Sequence, residues 1–237
     1  MVYAALLGVL AMCGVLVQGL RWHGNTELHT LIETVCALLA LMGSAIALTR
    51  YYTRKTATYL LFGSGLLGAA LLDGYHAMMT SSFLSGQTAS AHVALTPWSG
   101  VAARVFLGLL LFFSSLAAKN EEQSRLVRGL GERSIYAVVG ASTLVCFFVF
   151  TLVPLPATVY PLAILHRPAD LLPSLFFGLA AMQCIRKGAW KTNPFDHWLI
   201  LSLIAATSGH LFYLVFSGSL YDAVTLRGIC SRCCHSC

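Results

Sequence analysis

Seven ionisable side chains stand inside long apolar runs: His29, Glu33, Asp73, His76, Arg104, Asp170 and His210. His29 and Glu33 are spaced i,i+4, and Asp73 and His76 are spaced i,i+3, so each pair falls on one face of a helix. Three imidazoles with a carboxylate are a ligand set for copper, zinc or haem iron, with His29, His76 and His210 as the candidate metal ligands. The same groups could instead exchange protons, since histidine beside a carboxylate titrates near neutral pH. They could also be structural, with Arg104 pairing to Asp73 or Glu33 and the histidines bonding across helices. The spacing alone does not choose among these readings. Met78 and Met79 offer thioethers but read as lipid-facing. No nucleophile elbow, phosphate-binding loop, HExxH or dinucleotide fingerprint occurs, so no catalytic residue is expected.

The elements that must carry these residues follow from composition. The 237 residues are 57% hydrophobic and only 10% charged, where a soluble domain carries about 25% charged residues. So few charges cannot cover a soluble globule, and the apolar surface must face lipid. The net charge of +6 sits in short loops between apolar runs, which argues against nucleic-acid binding. A spanning helix needs roughly 20 apolar residues. Seven segments qualify, approximately 2–20, 28–49, 57–79, 98–118, 134–153, 169–186 and 197–217. Their continuity excludes a barrel. Residues 1–20 lack the charged start and cleavage site of a signal peptide and read as a retained first helix.

Loop charge sets the expected orientation. Arg50, Arg54 and Lys55 follow the second helix; Lys119, Arg125, Arg128 and Arg133 follow the fourth; Arg186, Lys187 and Lys191 follow the sixth. The first and fifth loops have one arginine each, Arg21 and Arg167, and the third has neither Lys nor Arg. The second, fourth and sixth loops are therefore expected in the cytoplasm, with the N-terminus inside. On that topology every buried ionisable residue lies in the outer leaflet. Their common depth points to one polar site. Trp22, Trp98, Trp190 and Trp198 at helix ends fit an interfacial belt. Gly8, Gly14 and Gly19, then Gly63, Gly65 and Gly68, read as faces for close helix packing.

Cys13, Cys36, Cys146 and Cys184 lie in helices as small hydrophobes. Cys230, Cys233, Cys234 and Cys237 crowd the end as two abutting CxxC pairs. Structural zinc sites separate such pairs more widely. Residues 224–237 are expected to be an out-of-frame or truncated tail rather than part of the 1–223 membrane domain.

The run His29-Thr-Leu-Ile-Glu33, then Leu71-Leu-Asp-Gly-Tyr-His76-Ala-Met, then Trp98-Ser-Gly-Val-Ala-Ala-Arg104 resembles the third type of bacterial membrane-associated sensor domain, over Leu28 to Asp222. The resemblance implies a signal-input domain in the bacterial inner membrane, placed ahead of a histidine kinase or diguanylate cyclase and not itself an enzyme. It carries over His29, Glu33, Asp73, His76 and Arg104 as site residues without assigned roles. It implies an eighth helix where the cysteine-rich tail stands, a cytoplasmic signalling partner and a homodimer. A membrane redox protein holding haem or copper is the alternative. A small transporter ranks third, because the inner halves of the helices offer no polar path.

Overall fold

The computed structural model describes residues 2–17, 26–81, 92–119, 131–152, 159–160 and 165–216. Among them are seven α-helices and no strand: α1 Val2–Val17, α2 Thr26–Arg54, α3 Ala57–Thr80, α4 His92–Lys119, α5 Glu132–Leu152, α6 Leu171–Lys187 and α7 Pro194–Ser208. Six apolar stretches, in α2 through α7 with their short extensions, are long enough to cross a membrane. The described part of α1 holds a shorter one, Tyr3–Cys13. The protein is an α-helical membrane bundle. Trp22 and the cysteine-rich tail lie outside the described residues.

Several helix ends differ from the sequence expectation for local reasons. α2 runs on to Arg54, so Arg50 and Arg54 lie within it rather than in a loop. Basic residues suit the negative end of the helix dipole. Lys55 then takes a left-handed conformation with φ 53, its N–H donating to Tyr51 O at 2.6 Å. Only Lys55 and Thr56 separate α2 from α3. α4 begins at His92, not Trp98. Asn193 caps α7, accepting from Phe195 N at 3.1 Å, and Pro194 fits the first helical position. Beyond Ser208 the chain continues as a π-helical turn, Gly209–Tyr213, and a 3-10 turn, Leu214–Phe216.

Packing runs in the order α2, α3, α4, α6, α7, α1, with α5 laid against α3. Lipid tails are as apolar as leucine, so close fit rather than hydrophobicity holds such helices together. Gly63 faces Leu48 of α2, and a Cβ there would approach it to 2.8 Å. Gly65 and Gly68 face α4, against Leu110 and the ring of Phe106. The small residues of α3 thus admit a neighbour on each side. Gly8, by contrast, has nothing within 4 Å of a built Cβ among the described residues. Hydroxyls add clamps: Ser44 Oγ donates to Gly63 O at 2.8 Å and Ser114 Oγ to Thr58 O at 3.0 Å. Large side chains such as Leu39, Met42, Ile46, Val145 and Phe148 are exposed and make up the lipid-facing surface.

The bundle has two polar ends of different kind. At one, Tyr51 and Tyr52 donate to Glu132 at 3.0 and 2.8 Å, and Lys55 lies 3.6 Å from the same carboxylate. This ties α5 to the α2–α3 hairpin near the surface. At the other end lie the buried ionisable residues.

Candidate functional site

α2 and α3 are antiparallel, so the start of α2 meets the end of α3. That places His29 and Glu33 opposite His76. The Nε2 atoms of His29 and His76 face each other at 3.4 Å, with the rings edge to face and 5.7 Å between centroids. A ligand atom from each of His29, Glu33 and His76 lies within 4.8 Å of the others. Glu33 and His76 are buried, and His29 is half-buried.

α4 supplies the remaining walls. His76 Nδ1 sits 2.7 Å from Ser99 Oγ, and Ser99 is fully buried. One turn on, Arg104 Nη2 donates to Glu33 Oε1 at 3.1 Å. Gly100 makes room between them: a Cβ there would lie 3.0 Å from Arg104 Nη1 and 3.5 Å from His76 Cε1. Asp73, one turn before His76, is half-buried within electrostatic reach of Arg104 and Glu33. Two carboxyl groups, two imidazoles and one guanidinium are therefore gathered here.

His210 does not join this group. It lies in the π-helical turn after α7, with Nδ1 3.3 Å from Asp170 Oδ1. Arg167 Nε is 3.0 Å from Asp170 Oδ2. Asp170 is fully buried, and Arg167 and His210 nearly so. None of Arg167 Nε, the two Asp170 oxygens or His210 Nδ1 has a well-aligned hydrogen bond. Charge and proximity hold this triad rather than bond direction. Burial draws the Arg167 guanidinium below its ordinary range, and the Asp170 carboxylate opposes that. The sequence expectation of one pocket thus resolves into two clusters at the same end of the bundle. Arg104 lies within electrostatic reach of Asp170, His210 and Arg167, and so links them.

Three contributors escaped the reading of sequence. Ser99 is one of many small residues and carries no distinguishing signal. Arg167 reads as a loop charge, although its i,i+3 spacing to Asp170 across Pro168 is a visible ion-pair signature. Gly100 matters only through the neighbour it admits. Two apolar grooves, about 600 Å³ between α4 and α6 and about 420 Å³ between α2 and α3, are lined by no ionisable side chain.

A multi-pass helical bundle with ionisable groups buried among its apolar spans defines the class: an α-helical membrane protein with a polar cluster at one end. No curated protein and no solved structure matches the chain. Residues 20–234 match the MASE3 family of membrane-associated sensor domains, and the chain belongs to that family.

Proposed function

We propose that this sensory input domain detects its stimulus at the cluster formed by His29, Glu33, Asp73, His76 and Arg104, coupled through Arg104 to His210. The observation that carries the reading is the contact of four ionisable side chains from three helices inside apolar spans, where each is costly. The loop arginines and lysines support an N-terminus in the cytoplasm of a bacterial cell, with the cluster in the outer leaflet of the inner membrane. Occupancy of the site favours one arrangement of α2, α3 and α4 over another. A stimulus can shift that equilibrium only by its different affinity for the two. The shift passes to a cytoplasmic signalling module, a histidine kinase or diguanylate cyclase, in a homodimeric assembly.

The test uses chromosomal His76→Ala and Glu33→Gln substitutions, with phosphotransfer and cyclic dinucleotide output read in cells matched for membrane content of the protein. Loss of regulated output in both variants is expected. Output regulated as in the wild type would remove the site while leaving the topology intact.

A further inference from the structure

The two imidazole nitrogens that face each other stand out, because His29 Nε2 and His76 Nε2 are 3.4 Å apart. That is long for a nitrogen–nitrogen hydrogen bond, where about 2.7–3.2 Å is usual for nitrogen donors. It is, however, the separation of two ligands on one tetrahedral ion: with metal–nitrogen bonds of about 2.0–2.1 Å, two such nitrogens stand about 3.3–3.4 Å apart. A Glu33 carboxylate oxygen lies within 4.8 Å of both nitrogens, so a side-chain movement of about an ångström brings it to the same ion.

We propose that His29 Nε2, His76 Nε2 and the Glu33 carboxylate form a binding site for one divalent transition-metal ion of the zinc–copper class. The proposal names the ligand of the cluster assigned above to stimulus detection, and rests on that reading only for its signalling consequence. Four features of the surroundings carry it. The donor set, two imidazoles and a carboxylate, is that of zinc and copper sites rather than of calcium or magnesium, which take oxygen. His76 has the second-nitrogen support of a ligand: Nδ1 lies 2.7 Å from Ser99 Oγ, and in the tautomer whose Nδ1–H donates to that hydroxyl the Nε2 lone pair faces His29. Metal-bound histidines hold their second nitrogen in this way. Arg104 engages Oε1 of Glu33 and leaves the second oxygen for the ion. Asp73, one turn before His76, adds a carboxyl group within electrostatic reach of Glu33 and Arg104. His29 and Glu33 share one face of α2 at i,i+4, and His76 comes from α3, so an ion would cross-link the two helices. Three protein ligands leave a fourth position open, as in zinc sites that exchange a bound molecule.

The experiment uses the full chain purified in nanodiscs, with Cys230, Cys233, Cys234 and Cys237 changed to serine so that tail thiolates do not compete. Cobalt(II) is added as an optical stand-in for zinc, and zinc stoichiometry is read by elemental analysis. The expected results are one equivalent of zinc and an intense visible tetrahedral cobalt band without a thiolate charge-transfer band. His29→Ala and His76→Ala should each weaken zinc binding by 100-fold or more, on the order of two ligand-loss decades, and Ser99→Ala by about 10-fold. His197→Ala, at the opposite end of α7 where the imidazole contacts Tyr3, should leave binding unchanged. Binding that survives both His29→Ala and His76→Ala, a thiolate spectrum, or no binding by the parent chain would each overturn the proposal. The cobalt spectrum of the parent chain needs no substitution within the site, so a site variant that fails to fold does not shield the idea. A chain that binds zinc but gives zinc-indifferent output in cells removes the stimulus reading and keeps the site. Output lost in His76→Ala with no metal on the parent chain does the reverse.

Discussion

The two charged clusters at the same end of the bundle solve the problem of polar groups in hydrocarbon differently. In Arg167, Asp170 and His210, one carboxylate lies between a guanidinium and an imidazole, and all three are nearly sealed from outside. Charge closes on itself there, and the group staples the start of α6 to the end of α7. In His29, Glu33, His76 and Arg104, three helices contribute, Arg104 keeps about a quarter of its side chain exposed, and a second carboxylate, Asp73, stands close by. Charge there does not close. Burial alone thus does not separate an ion pair that only holds helices together from the cluster proposed to detect the stimulus. The balance of acids and bases, and which donor atoms face each other, does so better.

The contrast can be broken most severely at Asp170. Asp170→Ala leaves Arg167 buried without its partner, and uncompensated buried charge costs about 3–5 kcal/mol. Unfolding in mixed micelles should show a loss of that order, larger than for any single substitution in the first cluster. A smaller loss than Glu33→Ala produces would reverse the roles given to the two groups. Next in size is Gly68→Leu, which drives a side chain into the ring of Phe106 on the α3–α4 seam and should cost about 1–3 kcal/mol. That seam brings Ser99 and Arg104 to His76 and Glu33, so its loss should add to that of Asp170→Ala within about 0.5 kcal/mol if the clusters are separate stability units. Strong non-additivity would show that Arg104 fuses them. The finest measurement is a double-mutant cycle on Glu33→Gln and Arg104→Ala, with an expected coupling of about 0.6–1.7 kcal/mol, the range for polar contacts between membrane helices. Coupling near zero would mean that the 3.1 Å contact adds nothing to the fold.

Much of this architecture was legible before any coordinates. Hydropathy locates the helices because a span must be apolar over a fixed length, and the structure keeps α2 through α7 close to those segments. Charge inside the spans is rare enough to mark His29, Glu33, His76 and Arg104, and antiparallel alternation puts them at one depth. What stayed hidden depends on helix rotation, which no single periodicity reveals. Depth alone groups His210 with the other imidazoles, yet the π-helical turn that carries it, and the proximity of α6, deliver it to Asp170. In the sequence Arg167 reads as a loop charge, because loops are usually wet. Its burial follows from the chain folding back, with Arg167 N donating to Val215 O at 3.0 Å. The two-residue link after α2 is hidden too, since Arg50 and Arg54 read as a loop with Lys55 but lie in the helix's last turns.

That short link has a mechanical consequence. With only Lys55 and Thr56 between them, α2 and α3 form a pair of tongs whose rivet lies at the opposite end from the imidazoles. At 1.5 Å per residue, His29 rides on an arm about 38 Å long, so a splay of about 2° at the rivet parts the jaws by more than an ångström. Anything that grips both tips therefore sets the angle of two entire spans.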